Sequence, residues 1–119
     1  MQTQNNIKEN QSLKSNKEQH KQAIASYYDK NWNKWDNVYK KNFNDMPEVS
    51  KRRMVILDSI DQYSGGKNMN ILDIGCGTGV LMLDVLKKGH TVTGIDISKK
   101  MIDSASEKIN KLYSDRSQC

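Results

Sequence analysis

The chain is short of cysteine, of proline and of long apolar runs, and these shortages exclude several classes of protein. Two cysteines, Cys76 and Cys119, are too few for a disulfide framework or a four-ligand zinc site. No stretch approaches the ~18 apolar residues of a membrane-spanning helix. No apolar h-region of a secretory signal follows Met1. A cytoplasmic location with reduced thiols is therefore expected. Apolar residues make up only 35% of the 119, and the deficit is local. Residues 1–22 hold Met1, Ile7 and Leu13 from that set, whereas residues 23–119 hold the other 39 and can build a modest core. At this length one domain at most is expected.

Acidic charge is also scarce at the front. The net charge is +5, and all of the excess lies in residues 1–53, with 11 Lys or Arg against 6 Asp or Glu; residues 54–119 carry 8 of each. A basic face attracts phosphate, but a lysine-rich solvated surface accounts for the same numbers. No nucleic-acid or membrane partner is expected.

Along the chain, residues 1–20 are rich in Asn, Gln and Lys and bury too little apolar area to offset ordering entropy, so a disordered polar tail is expected. Residues 21–66 read as helical. Ile24, Tyr28, Trp32, Trp35, Tyr39 and Phe43 recur at intervals of three and four, one face of a helix over 21–45. Such a face either packs on a core or forms an aromatic lid over a ligand, and packing is the commoner outcome. Pro47 and Glu48 suit a helix start. Val49, Ile56, Ile60 and Tyr63 form the next stripe, and Ser64-Gly65-Gly66 ends it.

The pattern changes after residue 66. Asn70-Ile71-Leu72-Asp73-Ile74 reads as a buried strand. Gly75-Cys76-Gly77-Thr78-Gly79 is a turn, and Val80 to Lys88 is helical, with Leu81, Val85 and Leu86 inward and Gly89 closing it. Thr91-Val92-Thr93-Gly94-Ile95 is a second strand. Ser98 is an N-cap for a last helix whose stripe is Met101, Ile102, Ala105, Ile109 and Leu112. A ten-residue helix (~15 Å) returns the chain far enough to start a parallel strand of about the same length. The fold class is thus α/β, a Rossmann-like βαβα unit preceded by a helical cap. The ligand crevice is expected at the carboxyl ends of its strands.

Chemistry concentrates in Asp73-Ile74-Gly75-Cys76-Gly77-Thr78-Gly79. Gly75 permits a sharp turn off the strand, and Gly77 and Gly79 are expected to omit Cβ atoms where a ligand meets the backbone. Asp96 lies 21 residues after Gly75, the spacing of a carboxylate that accepts hydrogen bonds from ribose hydroxyls. A dinucleotide fingerprint requires a third glycine at position 80, where Val80 stands, and Asp73 would repel a pyrophosphate. S-adenosylmethionine carries a sulfonium, an ammonium and a free ribose and no phosphate, which suits all three observations. His20 and His90 read as exposed polar residues, and Cys76 has no partner cluster for metal or redox work.

Ile71 through Gly79, followed by Gly94-Ile95-Asp96-Ile97-Ser98 and Met101-Ile102, closely resembles the first part of class I S-adenosylmethionine-dependent methyltransferases. The segment before it resembles the N-terminal cap of small-molecule members. The resemblance implies that Asp73 orients the methionine ammonium, that the Gly75-Cys76-Gly77-Thr78-Gly79 loop passes under the methionine and ribose, that Asp96 grips the ribose hydroxyls, and that Ile97 and Met101 flank adenine or ribose. It implies S-adenosyl-L-methionine as cofactor and no metal. The domain plan expected is a tail (1–20), a cap (21–66) and the first, incomplete part of a methyltransferase domain (67–119). The family's later strands and its substrate-side residues have no counterpart here, so the chain reads as a fragment expected to be inactive alone. Its acceptor is expected to be a small molecule. An NAD-binding oxidoreductase fragment and a non-catalytic fragment are the alternatives.

Overall fold

A computed structural model describes the backbone of residues 2–40 and 46–117 and the side chains of 8–40 and 46–115. The elements are α1 (Gln2–Lys40), α2 (Pro47–Ser64), β1 (Asn70–Ile74), α3 (Val80–Lys87), β2 (Thr91–Ile95) and α4 (Lys99–Ser117). Phe43, the last position of the aromatic stripe, lies outside the described residues.

β1 and β2 pair in parallel, from Asn70 opposite Thr91 to Ile74 opposite Ile95. The strand–helix–strand order and the parallel pair are those of a Rossmann-like unit, as the alternation of apolar strand and amphipathic helix requires. Apolar alternation places Ile71 and Val92 toward α3, while Leu72, Ile74 and Ile95 on the other face are exposed. The core lies between the strand pair, α3 and α4, and contains Met82, Val85, Leu86, Met101 and Ala105. Met82 joins the inward residues foreseen for α3 because Gly94 opposite it has no side chain. A Cβ at Gly94 would collide with Met82 Sδ and come within 2.9 Å of Cys76 Sγ.

α1 is continuous through residues 2–40, so the segment read as a polar tail is helical at its described positions. It contains no Gly or Pro, and its Gln, Lys and Glu side chains fit a helix at little entropic cost. Residues 8–24 of it are exposed, so this stretch rests on local propensity alone. The second half is anchored to α4 at two points. Asp29 Oδ1 accepts hydrogen bonds from Ser98 Oγ at 2.5 Å and Lys100 N at 3.2 Å. Asp36 Oδ1 pairs with Lys108 Nζ at 2.8 Å, and the same ammonium donates to Thr78 O at 2.9 Å and Ser104 Oγ at 2.7 Å. The first contact sets a carboxylate at the positive end of α4, where Ser98 Oγ also caps Met101 N at 3.2 Å.

α2 starts at Pro47 and stops at Gly65, whose left-handed backbone returns its N–H to Asp61 O. Its inward face differs from the expected stripe: Tyr63 is exposed, and Ser64 is buried. The inward series runs Val49, Arg53, Leu57, Ile60 and Ser64. Arg53 belongs to it because its guanidinium is satisfied, pairing with Asp84 at 2.7 Å and donating to Tyr39 O at 3.2 Å. One side chain thus ties α2 to both α1 and α3. His90 is a second correction. Expected to be exposed, it is buried, and its Nδ1 accepts a hydrogen bond from Met69 N at 3.1 Å. It latches the entry of β1 to that of β2, at the end of the strands opposite the glycine bend. His20 is exposed.

Candidate functional site: a glycine bend between two carboxylates

The bend after β1 is drawn against the end of β2. Gly75 N and Cys76 N both donate to Ile95 O, at 2.8 and 3.0 Å. Asp96, the next residue after β2, accepts Gly77 N on Oδ2 and Ser98 N on Oδ1, each at 2.9 Å. One carboxylate therefore sets both the crest of the bend and the entry to α4. Each of its oxygens retains a lone pair for a further donor.

Asp73 has the opposite character. Among the described residues no hydrogen-bond donor reaches its carboxylate, and burial, followed by the negative charge of Asp96, pushes its pKa up. A group in this condition favours a cation beside it. The same causes act on Cys76: burial first, then Asp73 and Asp96, push its thiol up to about 11. Cys76 is therefore a small apolar filler of the bend and not a thiolate.

Two cavities meet over the bend. The larger, about 470 Å³, is bounded by Ile74, Gly75 and Gly77 below, by Asp96, Ile97 and Met101 on one side, and by Tyr28, Trp35 and Tyr39 of α1 above. The smaller, about 240 Å³, holds Asp73, Cys76, Thr78 and Val80 with Arg52 and Arg53 of α2. Gly75, Gly77 and Tyr39 line both. A Cβ on Gly75 would meet nothing within 4 Å, and one on Gly77 would meet only Tyr39 Cε2 at 4.0 Å. These two glycines leave open space where a ligand would lie.

Of the nine residues singled out by sequence, Asp73, Gly75, Cys76, Gly77, Thr78, Asp96, Ile97 and Met101 border one cavity or the other. Gly79 does not, and the reason given for it above is corrected. Its backbone is left-handed (φ 81°), and an added Cβ would stand 2.8 Å from Ala105 Cβ and 3.0 Å from Ala105 Cα. Gly79 is bare so that α4 can pack on the start of α3. Thr78 is almost wholly buried, and its hydroxyl lies against Asp36. Among the described residues no cluster of three His, Cys, Asp or Glu is placed to hold a metal ion.

Two contributions escaped the sequence reading. The aromatic face of α1 both packs on α4 and roofs the larger cavity, so the two alternatives left open for it coexist. Arg52 was missed altogether. Arg53 beside it is engaged with Asp84, whereas Arg52 has no carboxylate partner among the described residues and lines the smaller cavity. The paired cations Arg52-Arg53 ahead of the glycine motif were visible, but which one faces the bend depends on the phase of α2.

A parallel βαβ unit with a glycine bend at the carboxyl ends of its strands, and an acid after the second strand, defines a Rossmann-like nucleoside-binding protein. Residues 71–117 match the model of a family described as "Methyltransferase domain". The chain is 36% identical over 63 residues to a ubiquinone biosynthesis O-methyltransferase of Chromobacterium violaceum, covering 53% of this chain and 26% of that protein. It is 38% identical over 71 residues to the same-named protein of Aromatoleum aromaticum, covering 60% and 28%. That of Hydrogenovibrio crunogenus is 31% identical over 86 residues, covering 72% and 35%. The chain belongs to the class I S-adenosylmethionine-dependent methyltransferase family, and it spans about a quarter to a third of the length of these relatives.

Proposed function

We propose that this chain holds the cofactor-binding half of a cytoplasmic methyltransferase that uses S-adenosyl-L-methionine and acts on a small-molecule acceptor. The observation that carries the reading is the pair of cavities joined over the bend, one beside Asp96 and the other between Asp73 and Arg52. The first offers carboxylate lone pairs to ribose hydroxyls and apolar walls, Ile97 and Met101, to a base. The second offers an unpaired acid and an unpaired guanidinium, complementary to the ammonium and carboxylate of an amino acid. No phosphate is needed to satisfy either, and Asp73 and Asp96 both oppose one.

When bound, the cofactor supplies a methyl group on a positively charged sulfur. The chain's own contribution is to bind and align. Asp96 holds the ribose, Asp73 and Arg52 hold the amino-acid end, and Gly75 and Gly77 keep the floor free of side chains. The α1 aromatics exclude water above it. Alignment and water exclusion are the main sources of acceleration for a displacement at a methyl carbon. The relatives' names concern ubiquinone biosynthesis, and small-molecule acceptors suit a cap built into the same chain.

Titration calorimetry of the full chain tests the reading. S-adenosylhomocysteine is expected to bind the wild type and to bind Asp96→Asn at least about tenfold more weakly, because one acceptor oxygen becomes a donor facing hydroxyls. NAD is expected not to bind. Equal affinity of S-adenosylhomocysteine for both forms, or a preference for NAD, overturns it.

A further inference from the structure

Tyr39 stands where the two cavities meet. It lines both of them, as do the backbones of Gly75 and Gly77. The position of a Gly77 Cβ would be 4.0 Å from its Cε2. Its ring is stacked on Trp35, with centroids 6.0 Å apart and planes 27° from parallel, and Trp35 in turn leans on Tyr28 at 6.3 Å. Arg53 donates to its carbonyl, which ties that turn of α1 to α2. The ring is therefore held from behind by other rings and faces the bend across the junction. Asp73 lies on one side of that junction and Asp96 on the other, so the surroundings favour positive charge.

A ligand with its nucleoside in the larger cavity and its amino acid in the smaller must pass its linking atom between the glycine bend and Tyr39. In the cofactor proposed above, on which this inference rests, that atom is the sulfonium. We infer that Tyr39 is a specificity-determining residue that reads the charge on sulfur, its ring face attracting the sulfonium and having no such attraction for the neutral thioether left after methyl transfer. A cation over an aromatic face is stabilised by the ring quadrupole, most strongly by Trp and comparably by Tyr and Phe, and not by an aliphatic side chain. The charged donor and its demethylated product differ at this one atom, so Tyr39 would hold the donor and release the product. The neighbouring carboxylates add attraction for the same charge but do not distinguish an aromatic from an aliphatic residue at position 39.

The test is calorimetry on the full 119-residue chain with S-adenosylmethionine and S-adenosylhomocysteine, each variant first checked by circular dichroism. The quantity read is the ratio of the two affinities. Tyr39→Phe is expected to keep the wild-type ratio within about twofold, and Tyr39→Trp to keep or raise it. Tyr39→Leu is expected to lower the preference for the charged ligand about three- to tenfold while S-adenosylhomocysteine affinity stays within about twofold. The inference is overturned if the Leu and Trp variants share the wild-type ratio, or if Leu weakens both ligands equally, which marks a packing role. Should Leu fail to fold, Phe and Trp still decide the matter: a ratio that falls in either of them overturns the inference. If neither ligand binds the wild type, the proposed function fails and this inference with it. If both bind and the ratio ignores residue 39, only the inference fails.

Discussion

Between residues 65 and 89 six glycines adopt positive φ, and among the described residues no other residue type does; across the 39 residues of α1 there is no glycine at all. The first region is specified locally. Each reversal is written into the backbone, and the bend is held by bonds from its own neighbours, Ile95 O and Asp96. The second is specified from outside. α1 has no internal instruction about where to sit, and its position follows from two distant carboxylate contacts, Asp29 to the start of α4 and Asp36 to Lys108. The difference teaches that the bend is part of the fold, whereas the roof over it is an attachment held by polar contacts. The two therefore fail under different insults.

The largest effect is expected at Gly79→Ala, which tests the locally specified region. The left-handed backbone and the close approach of Ala105 together are expected to cost about 2–4 kcal/mol, measured by urea denaturation. Gly75→Ala, with open space at its Cβ, should cost only the backbone part and weaken cofactor binding more than stability. A loss at Gly79 no greater than at Gly75 would break the distinction drawn between them.

Asp36→Ala tests the attachment. It leaves Lys108 with only the Ser104 hydroxyl and the Thr78 carbonyl, and a loss of about 1–3 kcal/mol is expected. Trp35 fluorescence should red-shift while the circular dichroism of the strand–helix unit persists. The pH dependence follows the same contact. Burial pushes the Asp36 carboxyl up, but the donors Lys108, Lys40 and Thr78 outweigh it, and the net pKa lies below the usual 3.8. The stabilisation is present above the unfolded value and is lost as pH falls through the lower folded value. Acid below about pH 4 should therefore release α1 in the wild type and change Asp36→Ala little, as followed by tryptophan fluorescence.

Asp73→Asn is expected to act in the other direction. A carboxyl raised in the fold costs stability once pH exceeds its unfolded value, so at neutral pH the neutral amide should raise the melting temperature slightly and weaken S-adenosylhomocysteine binding. A fall in both would show that Asp73 serves the fold. The smallest effect concerns Cys76. In a Cys119→Ser background it should resist iodoacetamide at pH 8, and its alkylation rate should climb only toward pH 11.

The locally specified region was also the legible one. Strand, bend, helix and strand could be read between Asn70 and Ile95 because apolar runs and glycines sit where the backbone needs them. The fold class and the family followed from that stretch. Gly79 and Gly94 could be seen as glycines but not explained, since what their Cβ atoms would strike, Ala105 and Met82, belongs to helices packed from elsewhere in the chain. His90 and Ser64 looked polar and therefore exposed, and a single tertiary contact or a turn of helix phase buried them. α1 was the least legible. Its composition announces weak burial and says nothing of two carboxylates finding partners some seventy residues away.

The double role of Asp96 limits how this site can diverge. The oxygens that would recognise a ribose also shape the bend and begin the next helix, so residue 96 cannot be retuned for a different nucleoside without deforming the floor on which that nucleoside must rest. New specificity in descendants of this chain should arise instead in the roof, at Tyr28, Trp35 and Tyr39, where side chains can be exchanged without rewriting the backbone beneath.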